Sequence, residues 1–178
     1  MGYRNMQLVY IPKERLKRLG ESKTIERICK TCNCRLFIEN GEAVRIEGSE
    51  YDEFVAMIVV HAFGRVFDFD IECRLANSDY YFSAIDLEQI FGNEKRIKQV
   101  KARIIGEEGR TKRYIEQVSS TRISVYGNRV GFIGKVENIR EAEVAVNTLI
   151  DGGTHRLAYK KMETEHRRNV KGEKDVRF

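Results

Sequence analysis

No stretch of this chain is apolar for long enough to cross a membrane. The longest, Phe54 to Phe63 (FVAMIVVHAF), is about half the ~20 residues that a spanning helix needs. No secretory signal is expected either, because MGYRNMQLVYIPKERLK returns to charge after a short apolar run. Cysteine is scarce: the four present, Cys29, Cys32, Cys34 and Cys73, fit reduced thiols in a cytoplasmic protein better than a disulfide framework. CKTCNC holds one C-x-x-C spacing, but a zinc knuckle needs a second pair and none follows, so buried thiols are expected rather than a metal site. Histidine occurs three times, as His61, His155 and His166, and none has a nucleophile or a metal ligand at a useful spacing. No catalytic residue and no cofactor are therefore expected, and the chain does not read as an enzyme.

What is abundant is charge. Asp, Glu, Lys and Arg make up 33% of the residues, against an average of about 25%. The net charge is +5, and it is unevenly placed: residues 1–78 carry 12 basic and 12 acidic side chains, so the whole excess lies in residues 79–178. Between Asn93 and Lys135 there are 11 basic residues against 4 acidic ones. A basic stripe confined to one half is the electrostatic footprint of a polyanion site.

The chain also repeats itself. Gly20, Gly41 and Gly48 recur at Gly106, Gly127 and Gly134, a constant offset of 86. Between these marks CRLFIENGEAVRIEG (34–48) lies against TRISVYGNRVGFIG (121–134). In the second copy, YYFSAIDL (80–87) suits a strand, and NEKRIKQVKARII places Ile97, Val100 and Ile104 at helical spacing. Gly106 ends that helix, and a new one starts after Gly109 with Tyr114, Ile115 and Val118 inward. RISVY, a turn at Gly127–Asn128 and RVGFI form a hairpin, and residues 137–150 close the unit as a helix through Ile139, Ala142, Val146 and Leu149. The first copy follows the same order: strand QLVYI, a helix opened by the one proline, Pro12, a second helix with Ile25 and Ile28, a hairpin at Asn40–Gly41, and a final helix over 51–63. That last helix is apolar almost all round, so it is expected to be covered on two sides, between the units or against the joining segment RVFDFDIECRL.

A β-α-loop-α-β-β-α unit with G-x-x-G between its first two helices resembles the type I KH domain. Ile105, Gly106, Gly109, Ile115, the Gly127–Asn128 hairpin and the closing helix carry the likeness. The resemblance implies an α+β fold of two tandem type I KH-like units, each β-α-α-β-β-α. It further implies a loop that grips the backbone of about four single-stranded nucleotides beside an apolar groove. GRTKRYIEQVSSTRISVYG, followed by VGFIGKVENIREAEVAVNTLIDG, is similar to the second KH domain of the partner-of-NOB (Pno/Dim-type) family of small-ribosomal-subunit assembly, and the short form is expected to be archaeal. That likeness implies single-stranded RNA from the 3′ region of small-subunit ribosomal RNA as the ligand. It also implies a NOB-type endonuclease and the alpha subunit of a translation initiation factor as partners.

The expected division is an N-terminal KH-like domain over 1–76, a C-terminal KH domain over 77–153 and a basic tail over 154–178. In the first copy the loop reads GESK (20–23). It lacks a second glycine, and Gly20 to Ile25 is four residues shorter than Gly106 to Ile115, so this copy is expected to support rather than to clamp. In the second, Gly106 and Gly109 let the backbone approach a phosphate, while Arg103, Arg110, Lys112 and Arg113 neutralise charge. Ile105, Ile115, Ile123 and Val125 form the groove or the core beneath it, and Arg122 or Arg129 reach bases or phosphates. Glu107 and Glu108 sit at the tip. An exposed charge ~8 Å from a phosphate interacts with it by roughly 0.5 kcal/mol before screening, so they are expected only to trim non-specific affinity. The tail, with 8 basic and 4 acidic residues and no periodicity beyond RLAYKKM, is expected to be a partly disordered extension or an arm for phosphate or partner contacts. The competing reading of the whole is a protein-interaction scaffold with incidental RNA contact.

Overall fold

The computed structural model describes residues 7–21, 23–64, 75 and 79–175. The chain divides into two compact units, with the break between Phe82 and Ser83. In the first, β1 (Gln7–Tyr10), α1 (Lys13–Glu21), α2 (Thr24–Cys32), β2 (Arg35–Glu39), β3 (Ala43–Glu47) and α3 (Glu50–Gly64) follow in order. The strands form an antiparallel sheet in the order β1-β3-β2. Asn40 and Gly41 both have positive φ, as a two-residue hairpin matching the strand twist requires, and the Glu42 amide closes the turn onto the Glu39 carbonyl at 3.0 Å. Val9, Leu36, Val44 and Ile46 turn inward onto Leu16, Leu19, Ile28 and the buried stripe of α3, Val55, Ala56, Val59 and Val60.

α3 is buried or half-buried over residues 55–64, while Tyr51 and Phe54 in its first turns are 66% and 53% exposed; the joining segment 65–74, one of its two expected covers, lies outside the described residues. One expectation for this unit is corrected: Gly20 is not a loop residue, since it lies inside α1. The connection to α2 is residues 22 and 23, two fewer than the four residues 106–109 of the second unit, so pairing Ile25 with Ile115 overstated the loss. The offset of 86 in fact keeps the second helices in step, at Thr24 and Arg110, and α3 in step with its counterpart.

The second unit runs β4 (Tyr81–Asp86), α4 (Leu87–Phe91), α5 (Glu94–Ile105), a 3₁₀ turn (Glu107–Gly109), α6 (Arg110–Ser119), β5 (Arg122–Tyr126), β6 (Arg129–Gly134), α7 (Val136–Ile150) and α8 (His155–Asp175), with its sheet ordered β4-β6-β5. The short α4 was not anticipated. The strand stops one residue early because the Asp86 carboxylate accepts the Glu88 amide at 3.0 Å, capping a helix that Gly92 ends in the left-handed region. Buried Leu87 pins that helix to a core of Ile97, Val100, Ile104, Ile115, Phe132 and Val146, each side chain contributing about 1.5–3 kcal/mol on burial.

α8 overturns the partly disordered tail. Ala158 and Met162 are fully buried in the same core, and the rest of the docking stripe is polar but satisfied. The Tyr114 hydroxyl donates to Glu163 at 2.5 Å, and that of Tyr159 donates to Thr111 Oγ1 at 3.3 Å. On α7, Glu141 is 1% exposed and its carboxylate meets His166 Nδ1 and Asn169 Nδ2, both at 2.8 Å. A buried carboxylate without such partners would be strongly destabilising.

Candidate nucleic-acid interface

The loop between α5 and α6 is held by its two glycines in different ways. Gly106 has φ 74°, ψ 174°, a region that is essentially glycine-only, and its amide donates to the Ala102 carbonyl at 2.8 Å. A Cβ there would stand 2.2 Å from Thr111 Oγ1 and 2.8 Å from the Thr111 amide nitrogen. Gly109, at φ 77°, ψ 13°, is left-handed, and a Cβ on it would meet only the Arg113 guanidinium, at 3.7 Å. Its amide closes the turn onto the Gly106 carbonyl at 3.1 Å. Between them Glu107 and Glu108 are exposed, and Glu108 is itself left-handed at φ 50°. α6 then begins at Arg110, whose amide donates to the Glu107 carbonyl, with no side-chain cap and no acid in its first turn, so its positive dipole end faces the loop where an anion would sit.

The cations around this loop separate into free and committed groups. Arg110, Arg113 and Arg122 are exposed. Lys112 is drawn to Glu116 at 3.1 Å, and the same Glu116 oxygen accepts the Ile123 amide at 2.8 Å, on the open edge of β5. Arg103 donates to the Leu149 carbonyl at 2.9 Å and to that of Gly153, bracing the end of α7. Arg129 pairs with Asp86 at 2.8 Å, and this guanidinium holds the Asp86 carboxyl below the usual carboxylate range. Of the apolar set, Ile105 is half-buried, Ile123 belongs to the core, and Val125 is packed against that core. Sequence reasoning misses Thr111 and Glu116, and also the bracing role of Lys101, whose Nζ donates to the Gly127 carbonyl at 2.7 Å, because polar residues that fill or brace a loop leave no periodicity.

Elsewhere, Cys32 and Cys34 are buried and Cys29 is half-buried. Burial first, then the neighbouring Cys32 and Cys29, pushes the Cys34 thiol up to about 12. Cys73 lies outside the described residues. Among the described residues no group of three or more His, Cys, Asp or Glu is placed to hold a metal ion, and no helix is long and apolar enough to cross a membrane.

The family model for the second KH domain of Pno1, described as a eukaryotic-type (type I) KH domain, matches residues 81–167. A KH domain-containing protein of Methanocaldococcus jannaschii is 32% identical over 175 residues, covering 93% of this chain and 76% of that one. The crystal structure of Dim2p from Pyrococcus horikoshii is 31% identical with a TM-score of 0.80, covering 90% of this chain and 99% of that one. The chain belongs to the Pno1/Dim2 family of KH proteins. A further Pno1/Dim2 structure, an a/eIF2alpha–aDim2p–rRNA complex from Pyrococcus horikoshii, is 30% identical with a TM-score of 0.82, covering 93% of this chain and 96% of that one. The pre-rRNA-processing protein pno1 of Emericella nidulans is 31% identical over 96 residues; the match takes in 52% of this chain and 37% of that longer protein. The matched KH model spans the G-x-x-G loop and most of α8 together, so the helix read as a tail falls within the family's domain.

Proposed function

We propose that this chain binds single-stranded RNA through the Gly106–Gly109 loop and acts in maturation of small-subunit ribosomal RNA near its 3′ end. The alpha subunit of a translation initiation factor and a NOB-type endonuclease are its protein partners. The observation that carries the reading is the loop itself. A left-handed glycine, over which only the flexible Arg113 guanidinium comes within 4 Å of where a Cβ would stand, precedes an uncapped helix start flanked by the exposed Arg110 and Arg113, which is what a phosphate backbone needs for close approach. The names of the relatives, which include pre-rRNA processing and a complex with rRNA and a/eIF2alpha, support the same reading. In it Gly106 shapes the loop, Gly109 admits the strand, Arg110, Arg113 and Arg122 meet phosphates, and Ile105 and Val125 line the groove over Ile123. The first unit, whose α1–α2 connection lacks a second glycine, supports the second or meets a protein. The chain works as a cytoplasmic binding protein without catalysis.

Gly109→Asp tests this directly. Aspartate is among the residues that enter the left-handed region most readily, so the variant should stay folded with a urea midpoint lowered only by the roughly 1–2 kcal/mol of left-handed backbone, while placing a carboxylate against the phosphate path. Fluorescence anisotropy with single-stranded RNA from the 3′ region of small-subunit rRNA should show affinity reduced at least ~10-fold, about 1.4 kcal/mol. Unchanged affinity would sink the proposal and leave the KH fold as a protein scaffold.

A further inference from the structure

Beyond the loop, α8 presents a second charged face. At 100° per residue, positions 156, 160, 167 and 171 fall within about 60° of each other on the helical projection, and they are Arg156, Lys160, Arg167 and Lys171, all exposed. The stripe is about 22 Å long at 1.5 Å per residue. Acids within His155–Lys171 do not balance it: Glu163 accepts the Tyr114 hydroxyl, and Glu165 is paired with Arg168 at 3.4 Å. Beside the stripe a groove of about 400 Å³ has Val144 and Leu157 in its wall, Lys160 and Lys161 as its cations unpaired among the described residues, and Thr164 and the Glu165–Arg168 pair along the rest of it.

The stripe starts at the loop's own helices. His155 Nε2 lies 3.0 Å from the Arg103 carbonyl oxygen on α5, and the Tyr159 hydroxyl donates to Thr111, the residue that fills the space beside Gly106. A strand leaving the loop along α6 therefore passes a row of cations on flexible stems, next to a groove whose methyl groups can carry a sugar or a base face.

We propose that this face of α8 is a second backbone-contact site for the same single strand, extending the binding track beyond the four or so nucleotides a KH groove holds. The inference rests on the RNA-binding reading above and enlarges its footprint. Continuity with the loop favours RNA here over an acidic protein segment, which would have no need to begin at Thr111 and Arg103.

The test compares the full-length chain with its Lys160→Gln/Lys161→Gln/Arg167→Gln variant. All three side chains are exposed and glutamine keeps the helix propensity. The probes are an RNA pentamer and a 15-mer that embeds it with flanks on both sides, both cut from the 3′ region of small-subunit rRNA. Wild type should bind the 15-mer at least ~10-fold tighter than the pentamer. The variant should lose most of that gain, keep its pentamer affinity, and show a salt slope on the 15-mer shallower by about 2, at roughly 0.7 per phosphate. Equal 15-mer affinity in the two proteins overturns the inference, as does equal loss on both probes. So does loss of polyglutamate binding with RNA binding intact, which would assign the face to an acidic protein. If Gly109→Asp leaves pentamer binding unchanged, the loop reading fails instead, so the two failures are distinguishable.

Discussion

Gly106 and Gly109 bracket one turn for different reasons, and the difference decides how each can be mutated. Replacing both by aspartate, the natural first test of a G-x-x-G loop, would not leave this fold intact. A Cβ at Gly106 collides with the backbone nitrogen of Thr111 as well as its side chain, and backbone cannot swing aside. We expect Gly106→Ala to cost about 2–6 kcal/mol, combining roughly 1–3 for the glycine-only dihedrals with roughly 1–3 for overpacking. Urea unfolding of the variant beside Gly109→Asp should show the first shifted further than the second, because only Gly106 adds a collision with backbone to the dihedral strain; equal midpoints would contradict the geometry. The spelling G-x-x-G was legible in the sequence. Which glycine is packed shut and which has only a flexible side chain over it was not, because that depends on where Thr111, five residues on, returns in space.

At the scale of elements, most helices and strands could be read from the chain because each buries an apolar stripe of the proper period, as Ile97, Val100 and Ile104 do on α5. α8 escaped because only Ala158 and Met162 of its stripe are both apolar and fully buried, while Glu163, His166 and Asn169 dock through hydrogen bonds to partners on α6 and α7. Hydrogen-bond complementarity has no sequence period. If α8 is an integral part of the unit, Met162→Ala should destabilise it by about 2–5 kcal/mol, read as a lower urea midpoint. A residue on a loosely attached tail would change it by less than about 0.5 kcal/mol. The short α4 escaped for a local reason: Asp86 ends a strand and caps a helix in one step, and strand propensity alone runs through to Leu87.

For the whole molecule, the sequence places the +5 excess in the C-terminal half, and the structure says how much of it an RNA strand can use. Six basic residues were expected at the loop and groove, but Arg103, Lys112 and Arg129 are held by Gly153 and Leu149, by Glu116 and by Asp86. With Arg110, Arg113 and Arg122 left, the logarithm of pentamer affinity should fall with the logarithm of salt at a slope of about −2; engagement of all six would give about −4. Titration between ~50 and 200 mM salt separates the two. The sequence by itself determined the repeat, the α+β order and the G-x-x-G loop, because these follow from apolar spacing and from glycines, both local properties of the chain. Only the tertiary structure decided which cations are free, that Gly106 is packed shut against Thr111, and that the last helix belongs to the domain. Each of these turns on pairing between residues far apart in sequence, where one hydrogen bond or ion pair commits a charge that composition alone counts as available.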